Sequence, residues 1–494
     1  MNLTRCVFSP FFVANPAAFG LRRCASRMAA LIVISGLTAC ASFSPDGGLS
    51  VASAVADQEL RKDIVAVRTE EDASAVQARV RHLLARTLSA ETAVQIALLN
   101  NRGLQAAYNE LGIAEAVRVR QSLPPNPQIS VLRVSGAAET ELERQIVTSI
   151  LALATLPART EIAAGRFQQA QLTAALETLR VANGARAAFY RAVAANQSAA
   201  LLVQAEQAAG TAAQLAKRLG ETGAMNKLDQ AREQSFHADI VTQLTMAHQR
   251  ALSERERLIR SLGLAGADLN FTLPKTLPAL PGRPLRVPQV EQEALDRRID
   301  LQISRIELDL LAKSYGLTNA TRFVNVLDGG YADRIKDNKE TGEHVHNRGF
   351  TVSFEIPIFD FGETRVREAE QTYMQAANRL AEMAVNVRSE AKDAYRGYRT
   401  SYDIAARYQR EILPLRKVIS DEMMLRYGAM QVDVFPLLAD ARQRIAANAA
   451  AVEALRDFWL ASASLAATMV GGASATAGGA ASTGTQTPLA AAEQ

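Results

Sequence analysis

Two histidine pairs are the residues of this 494-residue chain whose spacing could support chemistry. His344 and His346 are separated by one residue, and such a pair could bind a metal, whereas His237 and His248 are eleven positions apart, which is about three helical turns. The first pair lies in a polar segment between two predicted strands, so we expect a solvated loop. The second pair is expected at a helix surface or between helices. The sequence contains no phosphate-loop, dinucleotide-binding, zinc-protease or nucleophile-elbow motif. We therefore predict a protein that is not an enzyme, with no catalytic residue, no cofactor and no metal site.

The beginning of the chain has the features of a secretion signal. A basic flank precedes residues 28–37, an apolar stretch of about ten residues, which is signal length and too short to span a bilayer. Leu37-Thr38-Ala39-Cys40 follows and resembles the bacterial lipobox, in which the cysteine thiol accepts a diacylglycerol. We predict a lipoprotein signal peptide over residues 1–39 and lipid attachment at Cys40. The alternative is an ordinary signal peptide that ends by chance at a cysteine.

Removal of that signal would change the charge and the cysteine content of the chain. Residues 1–39 contain four arginines and no acidic residue, so they account for the whole net charge of +4 and leave the rest of the chain neutral. A neutral chain has no general electrostatic attraction to phosphate, and we predict no nucleic-acid partner. Of the three cysteines, Cys6 and Cys24 would leave with the signal, so no internal disulfide could form.

An internal repeat organises the rest of the chain. Ala97-Leu98-x-x-Asn101-x-x-Leu104-Gln105 corresponds to Ala294-Leu295-x-x-Arg298-x-x-Leu301-Gln302, and each motif lies in a predicted helix, 89–121 and 288–316. β-like stretches follow each helix, and their strands are predicted at 128–135, 144–153, 322–331 and 349–358. In the last stretch Phe350, Val352 and Phe354 alternate with polar residues, which indicates a strand with one apolar face. Strands of about ten residues could cross a bilayer at a tilt, although a small soluble hairpin would alternate in the same way.

Each copy then continues into a long helical hairpin. No proline interrupts residues 158–273, and the low aromatic content of 5% also favours long helices. Small and medium apolar residues recur at steps of three and four, as in a coiled coil. Glycine-containing segments predict the hairpin tips at 220–226 and 427–433, where Gly220, Gly223 and Gly428 are expected to permit the turns.

These elements predict six segments. We expect the signal peptide at 1–39, a lipid-anchored N-terminal segment at 40–87, the first repeat at 88–270, a proline-rich linker at 271–288, the second repeat at 289–470 and a disordered tail at 471–494.

The order of these elements resembles that of the TolC-like outer-membrane efflux proteins, of the lipoprotein type. The motifs that carry the resemblance are Leu88-Ser89-x-x-x-Ala93-Val94-x-x-Ala97-Leu98-x-x-Asn101, Leu123-Pro124-Pro125-Asn126-Pro127, Ile356-Pro357-Ile358-Phe359-Asp360-Phe361-Gly362-Glu363-Thr364-Arg365 and Arg426-Tyr427-Gly428. The chain departs from this pattern in its short first β-hairpin, in Arg298 where the first copy has Asn101, and in residues 44–87, which have no clear counterpart.

The resemblance implies a mainly α fold with a small β part and an internal twofold repeat. It implies a homotrimer in which four transmembrane strands per chain form a shared twelve-stranded β-barrel, while coiled-coil helical hairpins form an α-barrel that extends into the periplasm. A shared barrel is also expected on physical grounds, because four strands cannot close a barrel and an open edge in lipid leaves backbone groups unpaired. The expected location is the outer membrane, with a lipid anchor.

The resemblance also implies a passive exit duct for small toxic molecules or metal ions, working with a periplasmic adaptor and an inner-membrane RND-type pump. The family gate lies at the helical tips, where a ring of carboxylates could select cations. The candidates are Asp433, Asp440 and Asp229, each of which could instead be an ordinary helix-start or solvated carboxylate. Two alternatives remain open: the exit duct of a type I protein-secretion system, and a periplasmic coiled-coil lipoprotein without a pore.

Overall fold

The computed structural model describes residues 42–471. The predicted signal peptide at 1–39, the lipid attachment at Cys40 and the predicted tail after Gly471 lie outside the described residues. Within residues 42–471, no helix combines the length and the apolar character that crossing a membrane requires.

Helices make up most of the described chain. Numbered in chain order they are α1 Ser50–Leu60, α2 Glu70–Leu84, α3 Ala90–Asn100, α4 Arg102–Ser122, α5 Ile150–Ala154, α6 Leu156–Glu221, α7 Lys227–Leu262, α8 Val290–Arg297, α9 Ile299–Ala320, α10 Glu363–Arg407, α11 Leu413–Gly428 and α12 Val434–Val470. A π-helical turn, Tyr408–Ile412, joins α10 to α11. Pro414 at the start of α11 explains this turn, because proline lacks the amide hydrogen that a regular α-helix would need there.

Side-chain caps define where the N-terminal helices begin. At the start of α2, Thr69 Oγ1 accepts from the backbone N–H of Asp72 at 3.1 Å, and Asp72 Oδ2 accepts from the N–H of Thr69 at 3.0 Å. Backbone hydrogen bonds from Arg68 and Thr69 hold the pKa of Asp72 below its ordinary value. Ser89 and Thr92 form the same reciprocal box at the start of α3.

Both copies of the repeated motif coincide with a break between two helices. The predicted helix 89–121 is divided into α3 and α4 at Asn101, where ψ is 116°. The predicted helix 288–316 is divided into α8 and α9 at Arg298, where ψ is 122°. In the first break, Asn101 Nδ2 donates to the carbonyl of Ser261 at 3.2 Å, so the backbone leaves the helical conformation where a side chain can bond the end of α7.

The chain divides into two compact units. The first comprises residues 42–47, Glu115–Ala164 and Phe323–Phe361, and it contains all four strands described below. The second comprises Gly48–Ala114, Gly165–Arg322 and residues 362–471, and it contains the main helical core.

Aromatic residues form the centre of the helical core in the second unit. Phe458 is 1% exposed, and its ring centroid lies 5.6 Å from that of Tyr398 and 5.7 Å from that of Tyr402. These helices also hold the proline-rich linker in place. Tyr398 Oη accepts from the N–H of Leu285 at 2.9 Å, and Trp459 Nε1 donates to the carbonyl of Pro278 at 3.0 Å. Side chains of the second repeat thereby supply hydrogen-bond partners for backbone groups of the linker, which cannot form a helix.

The four described strands form one antiparallel sheet in the order β1-β2-β3-β4: β1 Gln128–Ser135, β2 Glu139–Ser149, β3 Val326–Asn338 and β4 His344–Glu355. The last three strands lie nearer to their hairpin turns than the sequence predicts. The strands include the charged residues Glu141, Glu143, Arg334 and Lys336, because opposite charges on β2 and β3 pair across the sheet. At the other end of β2, residues 150–154 form α5, since Ser149 Oγ accepts from the N–H of Ala152 and caps a helix.

Candidate functional site

The register of the sheet gives it two chemically distinct faces. Ile129 pairs with Ile146, Ile146 with Tyr331, and Tyr331 with Phe350, so these four residues form one row across all four strands. Alternation along each strand adds further members to this apolar face, which we define as Ile129, Val131, Ile146, Tyr331, Phe350, Val352 and Phe354. Phe350 is 87% exposed and Val352 is 63% exposed in the single chain. Such a surface is expected to contact lipid or another chain.

The opposite, polar face is held together by cross-strand ion pairs. Arg334 Nε lies 2.9 Å from Glu141 Oε1, and Arg334 Nη2 lies 3.0 Å from Glu143 Oε2. Lys336 Nζ lies 3.7 Å from Glu141. Two glutamates and two basic residues therefore neutralise one another on this face, which we define as Ser130, Glu141, Glu143, Gln145, Arg334, Lys336, Thr351 and Ser353. The register also places Leu132, Val134, Glu139, Asp328 and Glu355 on it.

The sheet has two open edges. Within the described chain β1 pairs only with β2, and β4 pairs only with β3. The outer backbone N–H and C=O groups of Gln128–Ser135 and His344–Glu355 therefore have no strand partner in the described part of the chain. Since unpaired backbone groups are costly in hydrocarbon, this sheet could enter a bilayer only if other strands completed it.

His344 and His346 lie in β4, not in the loop that the sequence predicts. His344 Nδ1 contacts Asp337 Oδ1 at 2.5 Å, and His346 Nε2 contacts Asp333 Oδ1, so each histidine is paired with an acid of β3. The strand extends through these residues because the cross-strand acids give the imidazoles partners. No group of three or more metal-binding side chains occurs within residues 42–471.

His237 and His248 lie about three turns apart on the same helix and do not form a shared site. His237 lies in α7 and its Nε2 is 3.4 Å from Glu206 Oε1 of α6, so it is an interhelical residue. His248, also in α7, is exposed.

The first helical tip is formed by residues 222–226 between α6 and α7. Gly223 adopts a left-handed conformation with φ 75°, and Gly220 is still helical and accepts from the N–H of Gly223 at 3.2 Å. Asn226 begins α7, because its Oδ1 accepts from the N–H of Asp229 at 2.9 Å. Met225 is buried against Val434 of the second hairpin, so the two tips pack together.

The second helical tip is formed by residues 429–433 between α11 and α12. Gly428 is the last residue of α11, and the left-handed residue of this turn is Met430, with φ 58°. Asp433 then begins α12, since its Oδ1 accepts from the N–H of Val434 at 2.6 Å.

The three candidate gate carboxylates occupy different environments. Asp433 is exposed. Asp229 is 20% exposed at its side chain and pairs with Arg232 at 3.0 Å. Asp440 is only 6% exposed, and its Oδ1 has no hydrogen-bond partner within the described chain. Asp433 is thus the candidate most accessible to an ion.

One ion pair between the hairpins has no simple sequence signature. Glu233 of α7 is 6% exposed, and Arg442 of α12 reaches it across the two hairpins. The guanidinium of Arg442 also lies 4.6 Å from the ring centroid of Phe236. The two partners are far apart in the chain, so only a correct docking of the hairpins could have predicted this contact.

Gly362 of the Ile356–Arg365 motif makes a close backbone contact. Its φ is 73°, and a Cβ at this position would lie 2.1 Å from the carbonyl oxygen of Arg322. The same carbonyl accepts from Arg365 Nη2 at 3.3 Å. The motif therefore holds the start of α10 against Arg322, which lies two residues after the end of α9.

Comparison with known proteins identifies the fold. No family profile matches the chain, and no curated protein matches it. The structure of CusC, described in terms of folding and transmembrane channel formation, superposes with a TM-score of 0.65 at 15% identity, covering 77% of this chain and 92% of CusC. The Campylobacter jejuni CmeC outer membrane channel gives 0.61 at 15% identity, covering 79% and 87% of the two chains. The outer membrane protein VceC of Vibrio cholerae gives 0.61 at 13% identity, covering 80% and 97%. The resemblance to TolC-like outer-membrane channels is therefore confirmed as a likeness of fold.

Proposed function

We propose that this chain is one subunit of a passive exit channel in the bacterial outer membrane. The observation that carries the proposal is the two-faced sheet with open edges. Its apolar face would contact lipid, its polar face would line an aqueous lumen, and the alternation between them is that of a transmembrane β-barrel.

The open edges imply several subunits. Pairing β4 of one copy with β1 of the next would satisfy the backbone groups at both edges. Three copies would give twelve strands, so we propose a homotrimer with a shared twelve-stranded barrel. The similarity to solved outer-membrane channels supports this assembly.

The long helices would form the walls of a periplasmic tunnel. Helix α6 has 66 residues, which corresponds to about 100 Å at 1.5 Å per residue. We propose that the two hairpins are the two copies of an internal repeat, with the domain limits predicted from the sequence. Equivalent helix breaks at Asn101 and Arg298 support that correspondence.

The tips of the hairpins are the proposed gate. Asp433 is the leading candidate for a ring of carboxylates, followed by Asp229 and Asp440. We further propose that Cys40 bears a lipid anchor, and that an adaptor and an inner-membrane RND-type pump supply the energy and select small toxic molecules or metal ions. The channel itself would have no enzymatic activity.

Reconstitution of the full chain tests this proposal. Protein extracted from membranes should have the mass of a trimer and should conduct ions across a planar bilayer. A water-soluble monomer that never conducts would overturn the proposal.

A matched pair of substitutions adds a test of the two faces. Val352→Lys places a charge on the apolar face, where a cation near the bilayer midplane costs about 2–4 kcal/mol, and should reduce the inserted fraction. Thr351→Lys on the polar face should insert normally and change ion selectivity. Equal insertion of both variants would contradict the assigned faces.

A further inference from the structure

We propose that Arg144 and Arg348 form a binding site for anionic lipid phosphate groups at the edge of the apolar face. This inference rests on the proposed function, because only a sheet inserted in a bilayer meets lipid headgroups. The site would lie in the leaflet nearest the β-hairpin turns.

An aromatic row marks where the continuous apolar part of this face ends, although Leu142 and Ile335 lie on the same face beyond the arginines. Tyr331 and Phe350 are directly paired, and their ring centroids are 5.6 Å apart in an edge-to-face arrangement. From Phe350 to Phe354 the apolar series extends about 14 Å along β4, at ~3.4 Å per residue. Aromatic residues are typical of the boundary between hydrocarbon and headgroups in membrane barrels.

Charged residues form the next row on the same face. Arg144 of β2 pairs with Asp333 of β3, which pairs with Arg348 of β4. The row lies about 7 Å along the strands from the aromatic row, on the side of the hairpin turns. Cations one row beyond an aromatic boundary are at headgroup level, where phosphate groups are found.

The acids on this face neutralise the arginines only in part. Asp333 Oδ1 is shared between His346 and Arg348, whose Nε lies 3.6 Å away. Arg144 and Arg133 have no ion-pair partner among the residues that the structure describes, and both are exposed. On the polar face, by contrast, Arg334 is paired with two glutamates. Arg144 and Arg133, which lack an acidic partner in the described chain, therefore lie on the face that would meet lipid.

Guanidinium groups are well suited to bind a lipid phosphate. Each can donate two parallel hydrogen bonds to the oxygens of one phosphate, and the charge of arginine is insensitive to pH. Arg144 and Arg348 lie on the strands on either side of β3, so each would bind a phosphate beside Asp333, whose carboxylate repels an anion directly above it. Arg133 in the adjacent row on β1 extends the cationic surface toward the sheet edge.

The test uses the full-length trimer and vesicles of phosphatidylcholine with or without phosphatidic acid of the same acyl chains. Lipid binding is measured by native mass spectrometry of the extracted protein, and insertion is measured on the same samples by vesicle flotation. Wild type should retain phosphatidic acid in preference to phosphatidylcholine. Replacing each arginine with glutamine should weaken that binding on the order of fivefold, and the double variant Arg144→Gln/Arg348→Gln about 25-fold. Free inorganic phosphate should not replace the lipid.

Arg334→Gln on the polar face is the matched control and should leave lipid binding unchanged. Wild type that inserts but shows no preference for phosphatidic acid would overturn the inference, as would equal binding by wild type and an inserted double variant. If the double variant fails to insert, the wild-type lipid preference and the single variants decide the outcome. Wild type that does not insert at all would refute the channel proposal and this inference together, and flotation distinguishes that result from the others.

Discussion

Arg442 donates from Nη2 to Glu233 Oε1 over 2.5 Å and so ties the second helical hairpin to the first. The glutamate side chain is 7% exposed, whereas the arginine side chain is 34% exposed. Because a buried carboxylate without its partner is costly, this pair should matter more to stability than the ion pairs on the surfaces of the helices.

Arg442→Ala should lower the free energy of unfolding by roughly 3 kcal/mol, since it leaves the carboxylate of Glu233 buried and unpaired. Thermal unfolding of the extracted protein would measure the change. Arg444→Ala is the control: within residues 42–471 this neighbouring arginine bonds only the hydroxyl of Ser420, at 3.2 Å, and its removal should cost less than about 1 kcal/mol. Equal losses of unfolding free energy in the two variants would show that the pair between Arg442 and Glu233 contributes no more than a surface contact.

Asp433→Asn should weaken the block of single-channel current by divalent cations several-fold. The substitution removes the exposed charge at the tip while asparagine keeps the ability to cap α12. Asp440→Asn is the comparison, because the buried side chain of Asp440 is poorly placed to meet an ion. A block that is unaltered in Asp433→Asn, or altered only in Asp440→Asn, would exclude Asp433 from the proposed gate.

Gly362→Ala should destabilise the protein by roughly 3 kcal/mol or more. The new Cβ would meet the carbonyl oxygen of Arg322 at 2.1 Å, and φ is 73°, so backbone must move. Gly397→Ala, inside the helix that Gly362 precedes, provides the control. Nothing lies within 4 Å of its Cβ position, and alanine should raise the free energy of unfolding by up to about 1 kcal/mol. Denaturant midpoints of the two variants should therefore shift in opposite directions. A Gly362→Ala midpoint equal to wild type would refute the close contact.

Arg298→Ala should cost about 2 kcal/mol, more than substitution of its neighbour Arg297, because it removes charge-assisted hydrogen bonds from a buried guanidinium. Arg298 is 6% exposed and contacts Asp300 and Glu390, each at 2.6 Å. Burial lowers its pKa, but the hydrogen bonds to the two carboxylates outweigh burial and raise the pKa above its ordinary value. Arg297 is 42% exposed at its side chain, so Arg297→Ala should cost less than about 1 kcal/mol. The difference in unfolding free energy between the two variants is the measurement, and equal costs would contradict it.

Tyr108 should make stability sensitive to alkaline pH. Burial raises its pKa from 10.0 to about 12. The hydroxyl of Thr178 forms a 3.1 Å hydrogen bond with Tyr108 that lowers the pKa, but burial, the larger cause, disfavours the charged phenolate. The contribution of the neutral phenol is thus fully present below pH 10 and is lost as pH rises to about 12.

The expected loss is about 1.4 kcal/mol per pH unit within that window. Tyr108→Phe removes the titrating group, so unfolding of wild type and variant as a function of pH between 9 and 12 isolates the effect. Parallel curves would show that Tyr108 does not titrate abnormally.

Many local features of this protein could be predicted from the sequence. The alternation of Phe350, Val352 and Phe354 predicts an apolar strand face, and the register confirms it. Glycines and polar residues predict turns close to Gly223 and Met430. Such features depend only on residues near one another in the chain, because the period of the side chains and the conformation of the backbone are local properties.

Other features were decided only by tertiary structure. The strands extend through Glu143 and His346 because acids and bases on neighbouring strands pair, and this depends on a register that no single strand contains. Likewise Asp440 and Asp433 are similar carboxylates in sequence, yet one is buried and the other exposed, because burial depends on how two distant hairpins dock. Contacts between residues far apart in the chain arise from packing as a whole, so local pattern cannot specify which side chains meet.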